Sequence, residues 1–364
     1  MTQRTRKTAA PSLDWAQDIL RREASRIDAD PLTNSVFSLA QSLFRKLESG
    51  EHSVSDLARL ADEVHLVLLG ERAAQFRAQH AGADTEAAWA PVRARLAALA
   101  AAGFEAFREA AETPTGGIVF TAHPTFALSR ALRAEFAAVV TRPAAATRTA
   151  LHKLVQADAR PWNQSITLES EHQEVQEALR HAAGAQAAYG AEIVAAARKA
   201  FPADWKKLQP FLPTLASWVG YDLDGRTDIP WYRSVHLRLG EKAAQLARYA
   251  DALDDILEGV KAPAALAGLA RRLRRSAKLA GANAARFAND LSIAASLVEA
   301  ANALTAPHAD KLTDAAELTG VITAALGAVD DDTAARLMVL KAQIEAQQLG
   351  TARIHLRVNA AQVR

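Results

Sequence analysis

Several residue types and patterns are absent from this chain, and each absence excludes a class of protein. There is no cysteine among the 364 residues, which excludes disulfides, thiolate nucleophiles and zinc sites with cysteine ligands. No apolar run reaches the ~18 residues that a membrane-spanning helix needs. The first residues lack the apolar segment of a secretory signal, and no glycine-rich nucleotide loop is present. We therefore expect a cytoplasmic protein without a membrane partner.

The charge balance also argues against a nucleic-acid partner. Lys and Arg number 43 against 41 Asp and Glu, which gives a net charge of +2. The only dense basic run is Arg271–Lys278. This run could contact phosphate, but a solvated helix face explains it better. A nucleic-acid-binding helical protein stays open as a rival, although no aromatic residues are interleaved with these arginines.

Most of the chain has the pattern of amphipathic helices, and three short segments differ. Residues 1–12 predict a flexible basic tail, and residues 13–364 predict one domain. The β-favouring segments are residues 117–122, 214–221 and 352–358, which lie far apart in the sequence. Their helical connections are far longer than the dozen or more residues that a parallel crossover needs. From these patterns we predict a mainly α-helical fold with three short strands.

A polar cluster follows or overlies the end of each predicted strand. The clusters are His123, then Asp222, Asp224 and Arg226, then Arg353, His355 and Arg357. Functional groups in α/β barrels collect at the carboxyl ends of the strands, which makes these residues candidates for a site.

Each cluster also has a plainer explanation from the residues alone. His123 precedes a proline, which holds it extended and able to exchange a proton, but a buried histidine bonded to backbone fits equally. The Asp-rich segment is either a turn or a set of carboxylates that orient arginines. Arg353 and Arg357 suit an anion, and a solvent-facing charged strand remains the alternative.

Together, the three segments resemble a known family. Residues 119–125, VFTAHPT, resemble the histidine signature of phosphoenolpyruvate carboxylase. Residues 217–228, SWVGYDLDGRTD, resemble its tryptophan- and aspartate-containing segment, and residues 352–362, ARIHLRVNAAQ, resemble its arginine-bearing strand. The order also agrees. The resemblance implies a mainly α fold, with many helices around an incomplete parallel β/α barrel of three short strands, as in the N-terminal part of that family. The family's Glu and first Arg after the histidine signature are replaced here, so only Arg130 of the arginine pair is kept, as in a divergent bacterial branch.

The resemblance implies a reaction and roles for individual residues. It implies that phosphoenolpyruvate and bicarbonate give oxaloacetate and phosphate with Mg²⁺, in a protein that forms homo-oligomers at full length. His123 corresponds to the catalytic histidine, and Arg357 and Arg130 to substrate-binding arginines. Asp224 and Arg353 correspond to supporting positions. The alternative is a non-catalytic helical scaffold or regulatory protein of the same fold.

The family's metal ligands and remaining barrel strands lie beyond the third segment, so the resemblance implies an N-terminal portion with no metal ligands of its own. We expect residues 1–364 alone to form no oxaloacetate, because three strands cannot close an eight-stranded barrel. In a longer polypeptide with those strands, we expect activity, and we expect His123→Asn to remove most of it.

Overall fold

Helices build most of the structure, as the alanine content and the helix caps of the sequence predict. The structure is a computed structural model that describes residues 11–30, 32, 34–80, 85–121, 128–157, 167–222, 229–288 and 291–355. The described elements are, in chain order, α1 (Leu13–Ala29), α2 (Ser35–Glu48), α3 (Val54–His80), α4 (Thr85–Ala101), α5 (Phe104–Glu112), β1 (Gly117–Phe120), α6 (Arg130–Thr141), α7 (Ala145–Ala157), α8 (Leu168–Ala200), β2 (Thr214–Ser217), α9 (Trp231–Leu257), α10 (Ala264–Arg286), α11 (Ala294–Thr305), α12 (Ala316–Ala325), α13 (Asp331–Gln347) and β3 (Arg353–Ile354).

The contacts divide the chain into two compact units. The first unit comprises Met1–Ala83 and Ala127–Gln164, and the second comprises Asp84–Phe126 and Ser165–Arg364. The prediction that residues 13–364 form one domain stays a prediction, since two compact units can belong to one folding domain. Among the described residues, no helix combines the length and the apolar character needed to cross a bilayer.

The first unit is helical in its described part. Helix α3 packs against α6 and α7, and the shared core consists of Leu69, Ala73, Leu132, Val139, Leu151 and Val155. Arg77 on α3 donates from Nη2 to the carbonyl oxygen of Val139 at 2.7 Å. This contact satisfies a carbonyl in the last turn of α6, where a cation also complements the helix dipole.

The second unit holds the larger core and the sheet. Helices α9 and α10 pack along each other, and α13 packs against both α8 and α9. The interior is aliphatic, with fully buried Leu179, Leu246, Leu253 and Leu318. Because this core surrounds the long α8 and α9, it gives the sheet a rigid helical support.

The sheet consists of the three strands that the sequence predicts. Its order is β1–β2–β3, and both pairs are parallel. Gly117 pairs with Thr214 and Phe120 with Ser217, while Ser217 also pairs with Ile354. The described strands are shorter than predicted: β2 ends at Ser217, because the next residues form a tight turn, and residues 122 and 356–358 lie outside the described residues.

The three strands differ in burial. Leu215, Ala216 and Ser217 of β2 are buried, whereas Ile118 and Val119 of β1 are 54% and 40% exposed. Parallel strands are normally covered on both faces. In the described part of the chain, β1 is thus an edge strand with two partly exposed apolar side chains, while Phe120 packs against the core beside β2.

A glycine and a helix cap set two of the helix boundaries. Gly103 separates α4 from α5, because its φ of 102° favours glycine and interrupts the hydrogen-bond ladder. Helix α2 begins at Ser35, where the Asn34 side chain caps it by accepting from Phe37 N at 2.9 Å.

Candidate functional site at the carboxyl ends of the strands

The parallel pairing brings three distant segments to one edge of the sheet. Phe120, Ser217 and Ile354 lie side by side at the carboxyl ends of their strands. His355 N donates to the carbonyl oxygen of Ser217 at 3.0 Å, which continues the pairing past β3. Since the three segments that resemble the carboxylase family contain these strand ends, they are neighbours in the fold.

Three of the predicted site residues, His123, Asp224 and Arg357, lie outside the described residues. Arg130 is the first residue of α6, in the first unit, where Ser129 caps the helix by accepting from Leu132 N at 3.1 Å. From the sequence we predict that these four side chains converge at the carboxyl ends of the three strands, and this stays a prediction.

The Arg353 side chain bonds to the backbone at the end of α13. Its Nε donates to the carbonyl oxygen of Ala346 at 2.9 Å and its Nη2 to that of Glu345 at 3.2 Å. These carbonyls belong to the last turn of α13, where a cation is favoured by the helix dipole. Arg353 therefore ties β3 to the end of α13.

A tight turn follows β2. Tyr221 N donates to the carbonyl oxygen of Trp218 at 2.7 Å, and Gly220, at the third position of the turn, has a φ of 86°. A turn with positive φ at this position favours glycine. Ser234 on α9 donates from Oγ to the carbonyl oxygen of Gly220 at 2.6 Å. The turn is thus anchored to α9 at its central glycine.

A buried carboxylate lies behind this turn. The Glu241 side chain is 5% exposed, yet it receives two cationic or potentially cationic donors. Arg238 Nη1 donates to its Oε2 at 3.1 Å, and His172 Nε2 on α8 donates to its Oε1 at 3.0 Å. Gln176 Nε2 adds a longer contact of 3.5 Å to the same Oε1. Because a buried charge is tolerated only when it is paired, these donors stabilise the carboxylate.

The same arginine contacts the chain that enters β3. We call residues 348–352 the β3 link. Arg238 Nη1 donates to the carbonyl oxygen of Ala352 at 3.0 Å, and a Cβ added to Gly350 would overlap the Arg238 guanidinium. At the other end, the Tyr249 hydroxyl donates to the carbonyl oxygen of Gln348 at 3.0 Å. The β3 link therefore runs along α9 and is held to it at both ends.

Tyr221 completes this buried polar region. Its hydroxyl lies close to the Glu241 carboxylate but outside hydrogen-bond geometry, and it has no partner among the described residues. Burial, and secondly the Glu241 charge, raises the pKa of the Tyr221 phenol above its ordinary value of 10.0. Tyr221 thus stays protonated and cannot act as a base at neutral pH.

Two glutamines support the beginning of β2. The Gln347 amide satisfies both of its polar atoms in one orientation. In that orientation its nitrogen donates to Leu215 O at 3.3 Å and its oxygen accepts from Leu215 N at 3.2 Å. The same oxygen accepts from Gln186 Nε2 at 2.9 Å, and that nitrogen also donates to Pro213 O at 2.7 Å. Since β3 pairs only from Ala216 onward, the Gln347 amide replaces a strand neighbour for Leu215.

The basic run on α10 is largely neutralised. Arg272 pairs with Glu317 at 2.5 Å and Arg275 with Asp310 at 2.7 Å, while Arg274 pairs with Asp254. Three of the four arginines in this run thus have carboxylate partners, and the interpretation of residues 271–278 as a solvated helix face stays a prediction.

The sequence did not single out the three polar residues that the structure brings together, Glu241, Arg238 and His172. The first two stand three residues apart on α9, a spacing that forms ordinary surface pairs. His172 is separated from Glu241 by 69 residues. Within the described part of the chain, no group of three histidine, aspartate or glutamate side chains could hold a metal ion.

Comparison with known proteins adds no family to this description. No model in a scan of protein families matches the chain, and no curated protein matches it.

Proposed function

We propose that this chain supplies the histidine- and arginine-bearing strands of a phosphoenolpyruvate carboxylase, which joins bicarbonate to phosphoenolpyruvate. One observation carries the proposal. The three segments that resemble the family form adjacent parallel strands in the order and direction that an α/β barrel requires. A chance similarity of three short motifs would not by itself place them side by side.

The proposed roles follow from the chemistry of the residues. His123 would accept the proton from the carboxyl group of carboxyphosphate as the C–O bond to phosphate breaks, which gives carbon dioxide and phosphate. Arg357 and Arg130 would bind the phosphate and carboxylate of the substrate, for which the guanidinium fork is suited. Asp224 and Arg353 would hold the surrounding chain in place.

The reaction as proposed also uses Mg²⁺, which would neutralise the phosphate and the enolate oxygen when bound. The described residues offer no fitting set of ligands, so we derive no step through the metal. What the described residues supply is a fixed frame: the β2 turn on α9, and the β3 link held by Arg238 and Tyr249.

The alternative function, a non-catalytic scaffold or regulatory protein, is favoured by a different observation. Ile118 and Val119 of β1 are both exposed although their side chains point to opposite faces. Neighbouring apolar side chains that are partly exposed on both faces of an edge strand form a surface that another polypeptide could cover. A scaffold would use this surface for assembly and would need no substrate.

Calorimetric titration of phosphoenolpyruvate into residues 1–364 tests the proposal. We expect binding that Arg357→Gln weakens about tenfold or more, since one charge-assisted hydrogen bond contributes ~1.5–3 kcal/mol. Arg275→Gln is the matched control, because this exposed arginine already pairs with Asp310. Absence of binding, or equal effects of the two substitutions, would contradict the proposal.

A coupled assay with malate dehydrogenase and NADH then separates enzyme from scaffold. Bicarbonate-dependent oxaloacetate formation that His123→Asn abolishes, in a polypeptide that also carries the remaining barrel strands, supports the carboxylase. The scaffold is supported if the protein folds and assembles through β1, but binds no phosphoenolpyruvate and forms no oxaloacetate.

A further inference from the structure

Two lysines line a small cavity on the side of α9. The cavity has a volume of about 30 Å³ and lies between α9, α10 and the segment 304–312. Its walls include the apolar side chains of Leu239, Leu279 and Leu304, and its lining includes Lys242 and Lys311. A space of this size holds one or two water-sized molecules, so it would admit only a very small ligand.

The acceptors that the structure gives to both ammonium groups are uncharged. Lys242 Nζ donates to the carbonyl oxygen of Leu312, and Lys311 Nζ donates to those of Leu304 and Ala306, the latter at 3.2 Å. The carboxylate in the lining, Asp310, accepts from Arg275 Nε at 2.7 Å. Among the described residues, the direct partners of the two ammonium groups are therefore backbone carbonyls, and the one lining carboxylate, Asp310, is paired with Arg275.

These surroundings favour a neutral amine at one of the two positions. Burial lowers the pKa of Lys242 below its ordinary value of 10.5, and the positive charges of Lys311 and Arg238 lower it further. A neutral amine is a nucleophile, whereas an ammonium group is not. Lys242 thus has a larger unprotonated fraction at a given pH than an exposed lysine.

We propose that Lys242 is a carbamylation site for carbon dioxide, with the Lys311 ammonium as the counter-ion of the carbamate. Carbon dioxide is small, linear and uncharged, which suits a narrow cavity with apolar walls. The Lys242 nitrogen lone pair forms a bond to the carbon, and one C–O π pair moves to oxygen. The nitrogen then loses a proton to solvent, which leaves an N–H group and a carboxylate beside Lys311. No oxidant or further reactant is needed.

The modification would also resolve the charge imbalance of the cavity. It converts two neighbouring cations into an anion and a cation at short range, an arrangement that low dielectric surroundings favour. The charged groups that face the site are Lys311, Asp310 with its partner Arg275, and Arg238. The carbamate should form as the pH rises and the amine loses its proton, and it should be lost as the pH falls.

Trapping of the carbamate tests this inference independently of the carboxylase proposal. The folded chain is equilibrated with isotopically labelled bicarbonate and carbon dioxide, alkylated with triethyloxonium ion, digested and mapped by mass spectrometry. We expect several-fold more trapped label on Lys242 than on Lys341, a lysine paired with Glu345 at 2.9 Å.

A charge substitution gives the second readout. Lys311→Met removes the counter-ion and also a charge that lowers the Lys242 pKa, so both effects should reduce the label on Lys242 several-fold. Lys341→Met should leave it unchanged. Label spread evenly over the lysines, or no response to Lys311→Met in a variant whose circular dichroism shows it folded, would overturn the inference. If that variant fails to fold, the ratio of label on Lys242 to label on Lys341 in the unsubstituted chain still tests the inference.

Discussion

Replacement of the buried Glu241 carboxylate by an amide should destabilise the second unit and loosen β3 in particular. Glu241 is 5% exposed and accepts from Arg238 at 3.1 Å and His172 at 3.0 Å. The amide in Glu241→Gln keeps one acceptor oxygen of similar shape but removes the negative charge. Arg238 would then be left without its carboxylate.

The magnitude follows from the two contacts. A hydrogen bond to a charged group contributes ~1.5–3 kcal/mol, and breaking a buried ion pair by removing one partner costs ~3–5 kcal/mol. Arg238 is 33% exposed and can recover part of its hydration, and the amide retains one bond. We therefore expect the free energy of unfolding to fall by about 2–3 kcal/mol.

Urea unfolding followed by circular dichroism measures this loss, with a separate transition fitted for each unit where two are resolved. The matched control is Glu317→Gln on α12, because Glu317 is 40% exposed and pairs with Arg272. An exposed pair of this kind contributes ~0–1 kcal/mol.

Hydrogen exchange adds a local readout. Arg238 holds the β3 link through the carbonyl oxygen of Ala352, and His355 N bonds to Ser217 O at the end of β3. Peptides covering residues 348–355 should exchange faster in Glu241→Gln than in Glu317→Gln. If both substitutions cost the same and exchange in these peptides is unchanged, then Glu241 does not support β3 and the reasoning fails.

Two further predictions concern a glycine and a helix cap. Gly350→Ala should lower the free energy of unfolding, because the new methyl group overlaps the Arg238 guanidinium. Gly240→Ala, in an open position within α9, should instead raise the free energy of unfolding by about 1 kcal/mol. Asp330 caps α13 by accepting from Thr333 N at 2.9 Å, and this bond lowers the pKa of its carboxyl below 3.8. A depressed pKa adds stability that is present above the unfolded value and lost as pH falls through the folded value. Asp330→Asn keeps the cap without the titration, so its unfolding midpoint should fall less steeply below about pH 4 in acid denaturation curves; equal slopes would contradict the assignment.

The strands could be predicted from local sequence. Glycine pairs, β-favouring residues and turn residues mark residues 117–122, 214–221 and 352–358 as different from their helical surroundings. Their parallel pairing is what the resemblance to the carboxylase family implies, since connections of this length permit parallel pairing but do not require it. The lengths could not be predicted, because the end of β2 depends on the turn at Gly220, which has a φ of 86° and closely approaches Leu237 on α9. That approach is a tertiary contact and leaves no local pattern.

The support of the strand ends was hidden from sequence for the same reason. His172, Arg238 and Glu241 each fit the polar pattern of a helix surface, and only the contacts of α9 with His172 on α8 and with the β3 link turn them into a buried network. A buried carboxylate with an arginine and a histidine costs more to assemble than aliphatic packing and often adds little net stability. The position of this network explains its use. Arg238 Nη1 donates both to the Glu241 carboxylate and to the carbonyl oxygen of Ala352, immediately before β3. Aliphatic side chains could fill this space, but they could not accept a directional bond from the guanidinium or fix the carbonyl of the β3 link. The network thus fixes β3 in its register next to β2, and the proposed role of Arg357, four residues after Arg353, depends on that register.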